Sequence, residues 1–428
     1  MYSGRPVLVV DGRRTPFLKA AGKPGPFPAA DLATAACRAL LLAQPFEPTV
    51  FDEVIFGCVI PGPDEVNIAR VIALRSGCGN WVPAWTVQRN CASGMQALDA
   101  AAMNISSGRS EMVLAGGVEA MSHAPLLWQD EMVTWLAGLN RARGWQQKLQ
   151  AVTTLRLRYL KPVIGLLRGL RDPVVGLSMG QTAEKIAQQF GIDREAMDAY
   201  AVESHHRLAA AQDEGRLQEI VPLFDQKGRV YDADNGLRRD SSIQSLAKLR
   251  PVFDPVGGRV TAGNSAQITD GAAVLILASE EAVKRHDLPV LGRIVDCQWA
   301  ALDPAYMGLG PVHAITTMLQ RRNSKLEDID YWEINEAFSA QMLGCLVAWQ
   351  DTDYCQQQLG LKKAFGSIDR ERLNIDGGGI GIGHPVGASG ARIVLHLLHT
   401  LQQQKAKTGI ASLCIGGGQG GAMMVERV

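Results

Sequence analysis

A pattern that occurs twice constrains this chain more than any other feature. Ala92-Ser93-Gly94 leads into an alanine-rich apolar stretch, Met95 to Ile105. A strand-like run, Met112 to Ala115, follows and stops at Gly116-Gly117. Far along the chain, Gly387-Ala388-Ser389-Gly390 leads into Ala391 to Leu401, and Ile410 to Ile415 stops at Gly416-Gly417. VLAGG at 113–117 thus matches LCIGG at 413–417. Four features recurring in the same order predict two related halves; a chance recurrence of short Ala/Gly strings is the competing explanation. The flanking segments fit the first view. Val7 to Val10 and Val54 to Val59 read as strands. Ala30 to Ala43 reads as a helix with Asp31 at its N-cap, His313 to Gln320 as a helix and Ile329 to Ile334 as a strand. Alternating strands and helices predict layered α/β.

With 428 residues, 46% hydrophobic, the chain can bury a large core. Lys plus Arg equals Asp plus Glu, 43 each, so no global charge points to nucleic acid. The eight cysteines form no C-x-x-C pair and no metal-ligand spacing with the eight histidines. They read as reduced thiols, most of them small core residues. The first residues lack the pattern of a signal peptide, and the longest apolar run, Ala272 to Ala278, is too short to span a bilayer. The expectation is a cytoplasmic protein, with membrane association left open.

Between the halves lies an expected insertion, 122–250, which divides the chain into 1–121, 122–250, 251–285 and 286–428. Its first part, 124–176, holds Trp128, Trp135 and Trp145. It carries Arg141, Arg143, Lys148, Arg156, Arg158, Lys161, Arg168 and Arg171 against Asp130, Glu131 and Asp172. Bulky apolar side chains mixed with basic ones suit a membrane interface. A helical hairpin docked on a partner chain or on its own core explains them equally well. From Thr182 to Glu214 the pattern is a polar helical pair broken at Gly191.

Four short motifs can carry chemistry. In Asn90-Cys91-Ala92-Ser93-Gly94, a cysteine at a helix start feels the helix dipole and unpaired N–H groups. Both should lower its pKa. In Gly383-His384-Pro385-Val386-Gly387, a histidine in a tight loop can take a thiol proton or point an N–H at an oxyanion. In Cys414-Ile415-Gly416-Gly417-Gly418-Gln419-Gly420-Gly421, a strand-end cysteine can act as acid or base beside glycine N–H donors. Gly416, Gly418 and Gly421 also satisfy a dinucleotide fingerprint, but no helix or βαβ unit follows them before Val428. In Asn335-Glu336-Ala337-Phe338, Asn335 can hold a water or donate directly. Each motif alone also has a bland explanation as a buried thiol, a surface histidine or a helix start.

Together these motifs resemble the thiolase family. The resemblance runs from Arg14-Thr15-Pro16-Phe17 to Gly421. It takes in Leu249-Arg250-Pro251, Thr261-Ala262-Gly263-Asn264 and Thr269-Asp270-Gly271-Ala272-Ala273. It implies a thiolase fold: two pseudo-symmetric α/β halves in five layers with an inserted loop domain, assembled as a homodimer or homotetramer. It implies that Cys91 is the acylated nucleophile, and that His384 is its base and part of one oxyanion hole. Asn335 would serve that hole through a water, and Cys414 would be the acid/base. The N–H groups of Cys91 and Gly416 would form a second hole. Met179, Arg238, Ser245, Ala262 and Phe338 fall where the family contacts coenzyme A. Coenzyme A and acyl-CoA are implied as substrates, with no permanently bound cofactor and no metal.

The basic, Trp-containing insertion is similar to that of β-subunits of trifunctional fatty-acid oxidation complexes. Those sit on membranes with a hydratase/dehydrogenase α-subunit, but typically carry His where this chain has Asn335. Many short-chain relatives place a coenzyme-A-contacting Ser where this chain has Ala266. Two alternatives stay open: a decarboxylating condensing enzyme of ketoacyl-synthase type, against which Cys414 argues, and a non-catalytic membrane- or lipid-binding subunit.

Overall fold

The computed structural model describes residue 2 and residues 4–428. They form two compact units: the residues up to His123 together with Asp172–Val428, and Ala124–Arg171. Of the span expected as an insertion, only Ala124–Arg171 stands apart. Its helices Asp130–Arg141 and Trp145–Thr153 are joined by a Trp135 Nε1–H bond to the Ala151 carbonyl at 2.9 Å. A two-stranded pairing of Leu126–Leu127 with Val163–Ile164 completes it.

In the larger unit the first half contains β1 (Val7–Arg14), α1 (Ala29–Leu42), β2 (Glu53–Gly57), α2 (Ile68–Arg75), β3 (Ala84–Val87), α3 (Ser93–Ser106) and β4 (Met112–Ala120). After the second unit come α4 (Met179–Gln189), α5 (Arg194–Asp213) and β5 (Thr269–Ala278). The second half follows as β6 (Gly292–Ala301), α6 (Gly310–Arg321), β7 (Tyr331–Ile334), α7 (Ser339–Gln350), α8 (Val386–Gln403), β8 (Thr408–Ile415) and β9 (Gln419–Glu426).

Strand order is β3-β2-β4-β5-β1-β6-β9-β8-β7, with Leu18–Lys19 pairing on β5. The order β2-β4-β5-β1 is mirrored by β7-β8-β9-β6 across the β1–β6 pairing of Val7 with Ile294. Both outer pairs, β2–β4 and β7–β8, are parallel and the remaining mirrored pairs antiparallel. Even the bulges correspond, between Val9 and Asp11 in one half and between Ile294 and Asp296 in the other.

Strand alternation sets the layers. On β5, Ala272, Val274 and Ile276 pack with α1 and α2, whereas Ala273, Leu275 and Leu277 pack with α3 and α8. On β9, Met423 and Val425 face α3 and α8, and Ala422 and Met424 face α6 and α7. The result is helix, sheet, helix, sheet, helix: five layers, with α3 and α8 in the middle.

Three local expectations change. Pro28, not Asp31, is the N-cap of α1, and Asp31 lies in its first turn, where an acid complements the dipole. β4 runs through Gly116-Gly117 to Ala120, because β5 pairs with it along its whole length. Gly94 lies inside α3 and Gly387-Ala388-Ser389-Gly390 inside α8, rather than before them. These glycines let the central helices touch. A Cβ on Gly94 would fall 2.8 Å from the Gly387 oxygen, one on Gly390 would meet the Met95 nitrogen at 2.5 Å, and one on Gly117 would overlap the Gly387 oxygen.

Candidate active site

The contact between α3 and α8 brings their N-terminal ends together, and with them Cys91 and His384, which precede the two helices. Asn90 takes a left-handed conformation (φ 44°), which Asn tolerates better than most residues. Its Nδ2 donates to the Gly416 carbonyl at 2.8 Å, tying the Cys91 loop to the loop after β8. Ser93 Oγ accepts from Arg89 N–H and donates to the Asn90 carbonyl, closing the turn from within. Cys91 is half-buried at the end of this turn.

Burial raises the Cys91 thiol. The N–H groups of Gly416 and Cys91 bond to the sulfur and pull the other way, Glu119 adds to the rise, and the net shift is upward. This overturns the expected lowering. The helix end supplies donors, but the sulfur loses more by leaving water than they return. A resting thiol therefore needs a base.

His384 is placed for that work. It follows Gly383, which at φ 111° lies against Thr269 with no room for a side chain. Burial, with Arg392 adding to it, lowers the imidazole to about 4, so it is neutral near pH 7. Its Nδ1 lies 2.6 Å from Ser389 Oγ, and Ser389 itself donates to the Pro385 carbonyl. The serine oxygen then accepts from Nδ1–H, which leaves Nε2 unprotonated. That Nε2 is buried and has no hydrogen-bond partner among the described residues.

Asn335 follows β7, and its Nδ2 stands 3.5 Å from His384 Nδ1; its Oδ1 is buried and equally unpartnered. Glu336 beside it points away from the chemistry. It accepts from Tyr200 OH, Ser204 Oγ, Asn374 Nδ2 and Ile380 N–H, pinning the Asn335 loop and the glycine-rich segment before His384 to α5.

Cys414 is buried on β8. Burial, then the Cys91 and Cys345 thiols, hold it well above the usual thiol range. It packs in one apolar cluster with Phe338, Ala337, Val260 and Met179. Met179 opens α4, and its sulfur lies 3.3 Å from where a Cβ on Gly416 would sit. Met179 and Phe338 thus join the site. Arg238 and Ala262, on loops, and Ser245, in a short helix, lie outside that cluster. Arg238 N–H donates to His205 Nδ1 at 3.3 Å, Ser245 closes the capping box of the short helix Ile243–Leu246, and Ala262 is exposed.

Sequence reasoning missed Glu119 and Ser389. Glu119 is fully buried and accepts from the N–H groups of Val59, Ile60 and Gly387, joining the end of β2 to the start of α8. Burial raises it to about 7 against those three donors. Ending β4 at Gly116 hid it. A buried acid on a strand otherwise apolar from Met112 to Ala120 was the available signal.

The chain matches the thiolase N-terminal domain over residues 7–281 and the thiolase C-terminal domain over 288–427. A 3-ketoacyl-CoA thiolase of Serratia proteamaculans is 36% identical over 426 residues, spanning 99% of this chain and 97% of its own. One from Colwellia psychrerythraea is 36% identical over 427 residues, 99% and 98% of the two chains. The crystal structure of the Bacillus anthracis acetyl-CoA acetyltransferase superposes with a TM-score of 0.85 at 36% identity, covering 100% of both chains. Human mitochondrial 3-ketoacyl-CoA thiolase in complex with CoA gives 0.84 at 35%, covering 99% of this chain and 98% of that one. The chain belongs to the thiolase family.

Proposed function

We propose that this acyltransferase works through Cys91, His384, Asn335 and Cys414, cleaving 3-ketoacyl-CoA with coenzyme A or running the reverse condensation. The observation that carries the reading is a neutral, unpartnered His384 Nε2 at the joined helix ends that also hold Cys91, with Cys414 beside Cys91. His384 takes the Cys91 proton as the sulfur attacks the keto carbon. The carbon–carbon bond then breaks, and its electron pair leaves as the enolate of acetyl-CoA. The Cys414 thiol, held protonated by burial, gives that carbon its proton. The thiolate of a second coenzyme A takes the acyl group from Cys91. The N–H groups of Cys91 and Gly416, which favour the ionised sulfur in the free protein, would hold the oxygen of the acyl carbon once it is joined to that sulfur. Asn335 and His384 stabilise the enolate oxygen. Arg238, Ser245, Ala262, Met179 and Phe338 hold coenzyme A.

The test is coenzyme-A-dependent thiolysis across 3-ketoacyl-CoA substrates from about four carbons upward, alongside Cys91→Ala. Cleavage that vanishes in the variant supports the reading; covalent trapping of labelled acyl group by Cys91→Ala removes it.

Among the described residues the edge strand β3 has β2 on one side and no strand on the other, which favours a second copy of the chain as its partner. Within Ala124–Arg171, Trp145, Leu149, Leu157 and Leu167 are exposed beside exposed Arg141, Lys148, Arg156, Arg158 and Arg168. No helix among the described residues is long and apolar enough to cross a membrane. That composition favours contact with an anionic lipid surface over burial against an α-subunit. Flotation with anionic vesicles should carry the protein. Loss of binding in Trp145→Ser/Leu157→Ser supports this reading, and unchanged flotation rejects it.

A further inference from the structure

Gln267 stands where three segments meet. Its Nε2 donates to the Gly236 carbonyl at 2.7 Å and to the Ile380 carbonyl at 3.3 Å. Its own carbonyl accepts from the His384 N–H at 3.1 Å. The side chain is buried, and Oε1 has no partner among the described residues, so the amide is held by its donors alone. The segment it grips, Gly379-Ile380-Gly381-Ile382-Gly383, has glycine at every second position. Such backbone has many conformations to lose, so its geometry depends on outside clamps. On the other side of Gln267, Gly236 lies against both the amide and the loop. A Cβ there would sit 2.9 Å from Gln267 Nε2 and 3.0 Å from the Gly381 oxygen. Arg238, two residues on, is bonded through its N–H to His205.

We propose that Gln267 is a positioning residue that couples the loop carrying Arg238 to the loop carrying His384, so that the coenzyme A side of the site and the base are set together. The inference rests on the reading of His384 as the base. An amide suits this place because two carbonyl oxygens converge on one nitrogen. A carboxylate of the same shape would set oxygen against oxygen.

The test uses the full chain and the 3-ketoacyl-CoA cleaved fastest in the chain-length series. Gln267→Met keeps the length and removes the donors. Its kcat should fall about 100-fold, the scale of a small misplacement of a reacting group. Alkylation of Cys91 by iodoacetamide is read in Gln267→Met, His384→Ala and the double variant. A residue acting through His384 gives a double variant that alkylates no more slowly than His384→Ala. Gln267→Glu supplies a second readout, and decides alone where Gln267→Met does not fold. Its buried carboxyl should take up a proton as pH falls, so its deficit against the parent should shrink from about pH 8 to about pH 6. Parental kcat in Gln267→Met, a loss that adds to that of His384→Ala, or a Gln267→Glu deficit of equal size at every pH overturns the proposal. Parental turnover in His384→Ala overturns the underlying reading instead, and the coupling with it.

Discussion

At the residue scale, the candidate site is built from groups that burial keeps uncharged over a wider pH range than water would. Burial holds both thiols protonated and the imidazole neutral. Cys414→Ala should keep acylation of Cys91 from an acyl-CoA and lose exchange of the acetyl α-protons, read by deuterium uptake; normal exchange would rule out its acid/base role. His384 makes a pH prediction. Its folded pKa of about 4 lies below the usual histidine value, so the neutral base persists on acidification. The acid limb of kcat/KM should therefore fall near about pH 4, not near about 6.5. A limb at the ordinary histidine value would contradict the burial argument. Much of this candidate site was legible in the sequence, because Cys91, His384 and Cys414 each stand in a short motif with glycine or proline nearby, and Asn335 directly follows a strand-like run. The sign of the Cys91 shift was not, because desolvation comes from residues distant in sequence.

At the scale of elements, the glycines of α3, β4 and α8 set how closely the segments carrying Cys91 and His384 approach. Gly117→Ala places a methyl group on the Gly387 carbonyl, and neither side can yield without shifting α8. It should destabilise the fold by about 3 kcal/mol or more and lower kcat as well, read by urea unfolding and thiolysis. An unchanged midpoint would mean that the two elements part without cost. The recurrent Ala-Ser-Gly was visible in the sequence, but its purpose was not. A helix–helix contact through glycine leaves no periodic hydrophobic signature. The boundaries shifted for the same kind of reason. β4 continues past its glycines because β5 satisfies its backbone.

At the scale of the whole larger unit, a buried ionic network crosses the layers. Arg14 meets Glu219 and Asp234, Arg392 meets Glu333, and His396 stands 3.1 Å from Glu219 and 3.3 Å from Asp376. Burial alone would lower His396. Glu219, Asp376 and Glu333 together override it and raise the imidazole to about 10. A histidine raised in the folded state stabilises fully below its unfolded value of about 6.5, and loses that contribution as pH rises through about 10. The urea midpoint should therefore fall between about pH 7 and about pH 10. His396→Gln, which cannot be charged, should flatten that dependence and unfold more easily at pH 7. An identical slope in the variant would place the alkaline lability elsewhere.

By itself the sequence determined the class of fold, the duplicated plan and the reactive motifs. Strand and helix periods, glycine-bounded turns and a cysteine or histidine at a loop are local properties, written in neighbouring residues. Tertiary structure alone decided what those residues experience. It joined Asn90 to Gly416 and Glu119 to Gly387, left His384 Nε2 without a partner among the described residues, and gathered Gly236, Gln267 and Ile380 at one point. It also gathered residues 172–250 into the larger unit and left Ala124–Arg171 as a unit of its own, whereas the sequence by itself places both in one insertion. The physical reason is one of range. Desolvation, hydrogen-bond satisfaction and charge coupling depend on distance in space, and the chain brings these groups together only when five layers have closed around them.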